Sequence, residues 1–227
     1  MTHILPLHPP AFARLPEAFY SRVSPEPLHA PYWVAQNHVL AAEIDMPLAD
    51  FNDDMLAYLS GSAAHYDPAP IASVYSGHQF GVYVRQLGDG RAMLLGESSD
   101  AQGRAWEWQL KGAGKTPYSR FADGRAVLRS SIREYLCSEA MHGLGIATTR
   151  ALALTGSHDA VYREEPETAA IVTRIAPSFI RFGHFEYLYH TGRHEQLAPL
   201  ADFLIAHHFP ECRAAENPYF ALFQEIA

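Results

Sequence analysis

The run RAWEWQLKG at residues 104–112 is the feature that most constrains the fold, because apolar and polar side chains alternate along it. Successive side chains of an extended chain point to opposite faces, so a period of two predicts a β-strand. The apolar face would carry Trp106, Trp108 and Leu110, and the polar face Glu107, Gln109 and Lys111. Lys111 therefore ends a strand that has one apolar and one polar face.

Other segments also have the patterns of strands. Residues 81–87 (GVYVRQL) alternate, an Asp-Gly pair follows, and residues 91–97 (RAMLLGE) form an apolar run. This order predicts two strands joined by a turn at Asp89-Gly90. Two more apolar runs, 148–157 and 168–178, predict two further strands.

The clearest helix pattern covers residues 124–145, where apolar residues recur at helical spacing and Gly143 and Gly145 mark the end. Glu134 flanks the apolar stripe of this helix. Further helices are predicted over residues 47–61, 194–209 and 217–227. Because the last pattern runs to the final residue without a cap, we expect a truncated chain.

Composition narrows the classes of function. The 227 residues carry 17 Lys and Arg against 25 Asp and Glu, a formal charge of −8. General binding to a nucleic-acid backbone needs a basic surface, so we expect no nucleic-acid partner. The sequence shows no signal or transit peptide and no apolar run long enough for a membrane span, which predicts a soluble cytoplasmic protein. Two isolated cysteines predict neither disulfides nor a zinc site.

The GKT triplet at residues 114–116 resembles the end of a phosphate-binding P-loop. That motif needs a glycine at position 109, which is Gln109 here, and a helix that begins at the Lys-Thr pair. Pro117 biases Thr116 away from helical geometry. A glycine-rich turn is therefore the better interpretation, and Lys115 is a weak candidate for phosphate binding.

Lys111 has a more informative setting. A glycine-bearing turn, LGDGR, precedes it, and Glu134 follows 23 residues later on the predicted helix. Protein kinases use the same order of glycine-rich turn, strand lysine and helix glutamate to hold nucleotide phosphates. The alternatives are a solvated lysine at a strand end, a surface glutamate, and an Asp-Gly hairpin without any ligand.

Arginines cluster around these elements in a chain that is acidic overall. They are Arg91, Arg120, Arg125, Arg174 and Arg181. Arg174 interrupts an apolar strand pattern, where an unpaired charge is costly, and guanidinium groups fit phosphate oxygens in a two-pronged geometry. The alternative is that Arg174 and Arg181 pair with nearby carboxylates such as Glu186.

Asp123-Gly124 comes directly before the predicted helix, where Asp can cap a helix or help to line an anion pocket. Capping is the more economical of the two interpretations. Four histidines, His190, His194, His207 and His208, have only a loose metal-binding pattern and are interpreted as surface or capping residues.

Three long segments carry a resemblance to a known family. Residues 75–97, 108–146 and 172–186 closely resemble the selenoprotein O family, and the resemblance extends over nearly the whole chain. It implies a protein-kinase-like α+β fold, with an antiparallel-sheet N-lobe, a helix that carries the glutamate partner of the lysine, and the beginning of a mostly helical C-lobe. It also implies a protein adenylyltransferase, which moves AMP from ATP to Ser, Thr or Tyr hydroxyls of proteins.

The resemblance implies roles for particular residues. ATP would be bound by Gly88, Gly90, Arg91, Lys111, Asp123, Gly124, Arg174 and Arg181. Glu134 would form the ion pair with Lys111, and the two strand and loop arginines would hold an inverted triphosphate. The family's catalytic base and the ligands of Mg²⁺ or Mn²⁺ are expected beyond residue 227, so no catalytic or metal residue is assigned here.

The same resemblance gives a domain prediction. Residues 1–70, rich in proline, would form an extended and partly helical arm, residues 71–185 the nucleotide-binding N-lobe, and residues 186–227 the start of the C-lobe. Without the expected base and metal ligands, we expect the chain alone to bind ATP weakly or not at all and to transfer nothing.

Overall fold

The computed structural model describes residues 7–227, and its centre is a single large antiparallel sheet. In chain order the strands are β1 (Tyr20–Arg22), β2 (Tyr32–Gln36), β3 (Ile71–Ser73), β4 (Gly77–Gln79), β5 (Val82–Val84), β6 (Ala92–Ser99), β7 (Ala105–Lys111), β8 (Ala126–Val127), β9 (Arg150–Tyr162) and β10 (Pro166–Ala176). Eight of these form the main sheet in the order β1-β3-β6-β7-β10-β9-β2, with β8 beside β10, while β4 and β5 form a separate hairpin.

Six α-helices surround the sheet in the described part of the chain. They are α1 (His38–Glu43), α2 (Asp53–Leu59), α3 (Leu128–Gly143), α4 (Phe182–His190), α5 (Leu197–His207) and α6 (Pro218–Ile226). Three begin at an asparagine whose side chain accepts backbone N–H groups of the first turn: Asn37, Asn52 and Asn217. Across residues 7–227, no helix combines the length and apolar character needed to cross a bilayer.

The alternation of β7 sorts its side chains to two different layers. Trp108 and Leu110 are buried in a core that also contains residues of α1 and α2. The opposite face carries Glu107, Gln109 and Lys111, and the first two are also buried. Glu107 and Gln109 face an internal cavity that Phe179 also lines, and α3 packs on the same side of the sheet over β9 and β10, so the polar face of β7 lies inside the molecule.

The register of β10 places two cationic side chains near each other. Val172 lies opposite Lys111 of β7, and Arg174 lies opposite Gln109. Since residues two apart in a strand share a face, Lys111 and Arg174 project on the same side of the sheet. The sheet itself therefore juxtaposes the two candidate phosphate-binding side chains.

The predicted hairpin around Asp89-Gly90 is wrong. The alternating segment 81–87 contributes β5, which pairs with β4 rather than with β6. The turn between β4 and β5 is at Phe80-Gly81, where φ is +54° and +76°, as a two-residue type I′ turn requires. β6 pairs instead with β3 and β7, because an alternating pattern does not specify which strand is the neighbour.

Other predicted elements agree with the structure more closely. The helices predicted over 124–145, 194–209 and 217–227 correspond to α3, α5 and α6. The helix predicted over 47–61 is shorter, because Asn52 caps α2 and a separate 3₁₀ turn, Leu48–Asp50, precedes it.

Two larger differences concern the N-terminal segment and α3. The predicted arm over 1–70 contributes β1 and β2 to the main sheet. Their three and five residues are too short for a clear pattern. The apolar stripe of α3 is largely exposed, and within that helix only Ser131 is buried.

The structure therefore confirms a mixed α+β fold with an antiparallel sheet. The comparison with the lobes of a protein kinase remains a prediction, and so does the division of the chain at residues 70 and 185. The buried cluster that contains Phe12 and Ile71 also includes Leu200, so one core joins all three predicted segments.

Candidate nucleotide site

One cleft collects all eight residues predicted to bind the cofactor. It has an empty volume of about 980 Å³ and lies between the loop before β6, the end of β7, the loop before β8 and the loop after β10. Seven basic side chains line it, against two acidic ones. The basic residues are Arg91, Lys111, Arg120, Arg125, Arg163, Arg174 and Arg181. In a chain of charge −8, this is a local concentration of positive charge.

Asp89 fixes the glycine-bearing loop at the edge of the cleft. Its carboxylate accepts hydrogen bonds from Ser73 N at 2.9 Å and Ser73 Oγ at 2.6 Å, and from the Tyr75 hydroxyl at 3.2 Å. Because Asp89 is buried, these three hydrogen bonds satisfy its carboxylate inside the protein. Gly88 and Gly90 are therefore presented at the cleft by a loop that is fastened to the end of β3.

Lys111 and Arg174 share one carboxylate at the inner end of the cleft. The Lys111 ammonium donates to Glu134 of α3, and Arg174 Nη1 lies 3.5 Å from the other oxygen of Glu134. Arg174 also donates to the side-chain oxygen of Gln109. Burial and the nearby Arg174 lower the pKa of Lys111 from its ordinary value, although Glu134 opposes the shift.

Arg181 enters the cleft from the loop after β10. Its guanidinium lies 5.3 Å from the centre of the Tyr75 ring, a cation–π distance, and Tyr75 itself donates to Asp89. The Arg181 backbone N–H donates to His184 Nδ1 at 2.9 Å. Because His184 is buried at the start of α4, this bond fixes the loop from which Arg181 extends.

Asp123 does not cap α3, so the capping interpretation is wrong. The helix begins four residues later at an N-cap, Val127, that makes no side-chain cap bond. Asp123 instead accepts the Arg125 N–H at 2.9 Å and both Nη groups of Arg163, at 2.6 and 3.0 Å. The hydrogen bond from Arg163 is the main cause that lowers the pKa of Asp123. This pair fastens the loop before β8 to the β9–β10 turn.

Gly124 is required by its backbone conformation and by its neighbours. Its φ is +73°, and a Cβ there would lie 2.1 Å from the backbone of Gly114. Gly103 has a similar φ of +78° with nothing within 4 Å of the same position. Left-handed backbone alone costs a side chain about 1–2 kcal/mol, so the collision should be a separate and larger penalty at Gly124.

We therefore expect Gly124→Ala to lower the free energy of unfolding by more than about 2 kcal/mol. Gly103→Ala should lower it by only about 1 kcal/mol, because it pays the conformational cost without the collision. Urea denaturation followed by circular dichroism measures both values. Equal losses in the two variants would contradict the packing of residue 124 against residue 114.

The balance of charge at the inner end is positive. Lys111 and Arg174 together have one carboxylate, Glu134, and Arg181 forms no ion pair with any carboxylate in residues 7–227. Arg174 Nε is buried and has no hydrogen-bond partner among the described residues. Buried cations need compensation, so this end of the cleft is suited to an anion with several oxygens.

The alternatives from the sequence have clear outcomes. Lys115 is exposed, and no helix begins near it, so residues 114–116 do not form a P-loop. Arg174 pairs with Glu134 rather than with Glu186. Among residues 7–227, no three His, Cys, Asp or Glu side chains form a group able to hold a metal ion.

Sequence reasoning missed two residues that organise the site. The local sequence places Asp89 in a hairpin turn, whereas its buried carboxylate anchors the glycine-bearing loop to β3. No local pattern indicates Arg163, because it lies 40 residues from Asp123 in the turn after β9. The unusual length of β9 and β10, 13 and 11 residues, is the signal that could have placed that turn over the cleft.

Fold and cleft together define an α+β protein with a basic pocket suited to a phosphate-bearing ligand. The family model described as protein adenylyltransferase SelO matches residues 4–227. The chain belongs to this family, which confirms the resemblance found in the sequence.

Curated relatives with the name protein nucleotidyltransferase YdiU agree with this assignment. The chain is 57% identical to the protein of Paraburkholderia xenovorans over 219 residues, which are 95% of this chain and 42% of the relative. It is 54% identical to that of Dechloromonas aromatica over 223 residues, 98% of this chain and 44% of the relative. It is 53% identical to the protein of Vibrio cholerae over 215 residues, which are 95% of this chain and 44% of the relative. The chain thus spans less than half the length of these relatives.

Proposed function

We propose that this chain forms the ATP-binding part of a protein adenylyltransferase, which transfers AMP to Ser, Thr or Tyr hydroxyls of proteins and releases pyrophosphate. The supporting observation is the excess of partly buried positive charge, since Lys111 and Arg174 share the single carboxylate of Glu134. Membership of the SelO family gives that charge a ligand of matching chemistry, a nucleoside triphosphate.

The arrangement of the cations suggests how the triphosphate is oriented. Arg174 and Lys111 have side chains only 11% and 22% exposed and share one carboxylate, whereas the similarly enclosed Arg125, at 19%, is paired with Glu26. The terminal phosphates would lie against these two groups and Arg181, which leaves the α-phosphorus toward the open side of the cleft. Glu134 would hold the Lys111 side chain in place, so that its ammonium can contact phosphate oxygens without a further loss of side-chain conformational entropy.

The chemical step needs groups beyond those in the cleft. Transfer requires a base for the acceptor hydroxyl, and a divalent metal such as Mg²⁺ or Mn²⁺ would supply further neutralisation of phosphate charge when bound. The described residues offer no cluster for such a metal. We place both functions in the part of the family sequence that these 227 residues do not cover. The sequence alone predicts weak or no ATP binding by this chain, but because the basic side chains of the cleft are already assembled, we propose that it binds ATP by itself without transferring AMP.

Labelled ATP separates this proposal from the alternative of a phosphotransferase or a non-catalytic nucleotide-binding module. A protein of full family length that carries these residues is incubated with ATP labelled on the α- or the γ-phosphate, and the acceptor proteins are analysed. Label from the α-phosphate alone supports adenylyl transfer. Label from the γ-phosphate would identify a kinase, and binding without transfer of either label would identify a binding module.

A further inference from the structure

The hairpin of β4 and β5 carries an aromatic ring at the mouth of the cleft. Phe80 is at its tip and lines the cleft beside Gln79 and Arg91. The residue is 97% exposed, whereas the side chain of Arg174 at the inner end is 11% exposed. The cleft therefore has enclosed cationic side chains at its inner end and an exposed aromatic side chain at its mouth.

Folding does not account for a phenylalanine at position 80. Its φ of +54° belongs to a turn in which Asn, Asp and Gly are favoured. In this left-handed region a β-carbon lies too close to the following carbonyl oxygen, so a phenylalanine there is sterically unfavourable. Phe80 is absent from the buried apolar clusters of the described residues. A residue that is unfavourable in its turn conformation and also exposes a large apolar ring to solvent is a candidate for a functional role.

The hairpin that carries Phe80 is held at both ends. Arg120 Nη2 donates to the Gln79 side-chain oxygen at 2.7 Å, next to the tip. Arg85 Nη2 donates to the His190 carbonyl at 2.7 Å, and this bond fastens the base of the hairpin to α4. The aromatic ring is therefore kept at the mouth of the cleft by contacts that do not involve the ring itself.

We propose that Phe80 stacks on the base of the bound nucleotide. This inference rests on the proposed function, because it takes a triphosphate at the inner cations as given. With the terminal phosphates at Lys111 and Arg174, the nucleoside extends toward the mouth, where Phe80 lies. Aromatic side chains stack on nucleobases with little preference for the base, since every base has a π-face. Phe80 should thus raise the affinity for nucleotides in general and should not make the site selective for one base.

The test compares ligands with and without a base. Isothermal titration calorimetry with ATP, GTP and inorganic tripolyphosphate is carried out on wild type and on Phe80→Ala. We expect the variant to bind ATP and GTP about tenfold more weakly, while the affinity for tripolyphosphate stays unchanged. Phe80→Tyr, which keeps the ring, should restore binding of both nucleotides.

Phe223→Ala is the matched control. Phe223 is 62% exposed on α6 and does not line the cleft, so its loss should leave all three affinities unchanged. Equal weakening of nucleotide and tripolyphosphate by Phe80→Ala, or unchanged ATP binding, would overturn the stacking role. In a protein of full family length, an effect of Phe80→Ala confined to the KM of the acceptor protein would overturn it too, and would assign Phe80 to acceptor docking. Failure of wild type to bind any of the ligands would instead refute the proposed nucleotide site.

Discussion

Replacing Lys111 with methionine is expected to lower the affinity of the chain for ATP by about ten- to a hundredfold. A hydrogen bond to a charged group contributes about 1.5–3 kcal/mol, and each 1.4 kcal/mol corresponds to a factor of ten. Methionine keeps most of the length and apolar volume of the lysine stem while it removes the ammonium that faces the cleft. Isothermal titration calorimetry with ATP at fixed ionic strength measures the loss.

The fold should survive this substitution, because Glu134 remains 3.5 Å from Arg174 Nη1 when the ammonium is gone. An unchanged circular dichroism spectrum would show that the binding loss is local. Lys115→Met is the matched control, since Lys115 is exposed and lies in the loop directly after β7 but outside the cleft. If Lys115→Met weakened ATP binding and Lys111→Met did not, the P-loop interpretation would have to be restored.

The parts of the fold that the sequence predicts are those whose structure is determined by the local residue pattern of a single segment. The alternation around Trp108 is strong enough to place Lys111 at a strand end, and the spacing in α3 places Glu134 on its flank. Their contact follows once the helix packs over β9 and β10 on the same side of the sheet as Lys111. Arg174 is predictable as a paired residue because it interrupts an apolar strand, although its partner is Glu134 rather than a local carboxylate.

The parts that could not be predicted depend on which distant segments meet. Nothing near residue 94 says that β6 pairs with β3 rather than with β5, and three-residue β1 has no periodicity to detect. Asp89 and Arg163 act through partners 16 and 40 residues away. Such contacts are consequences of the assembled sheet, so local propensity carries no signal for them.

A second expected result concerns Glu107, which lies below the cleft on the buried face of β7. Its carboxyl accepts the Phe179 N–H at 2.7 Å and lines a small internal cavity beside Gln109 and His184. Burial raises the pKa of Glu107 to about 8, although the bond from Phe179 opposes the shift. The group is therefore largely protonated in the folded protein at neutral pH.

The sign of the resulting pH dependence follows from linkage. The pKa of Glu107 in the unfolded chain is near 4.5, so between about 4.5 and 8 the folded state holds a proton that the unfolded state has lost. The stabilising contribution of this group is complete below 4.5 and disappears as pH rises through 8. Burial lowers the pKa of His184 to about 3 from 6.5, and that shift adds stability as pH rises toward 6.5. Between pH 6.5 and 8, the shift at His184 no longer changes the stability with pH, so the decline caused by Glu107 is not offset.

Glu107→Gln should therefore flatten the decline of the free energy of unfolding between pH 6.5 and 8, because glutamine keeps the acceptor for Phe179 and cannot ionise. Each pKa unit of separation is worth about 1.4 kcal/mol, so wild type should lose roughly 2 kcal/mol across this window relative to the variant. Urea denaturation at pH 6.5, 7.0, 7.5 and 8.0 gives the two slopes. Glu165→Gln, in the exposed turn between β9 and β10, controls for the loss of one negative charge. A variant with the wild-type slope would mean that Glu107 is already ionised in the folded protein, and that a cation or ordered water inside the cavity compensates its charge.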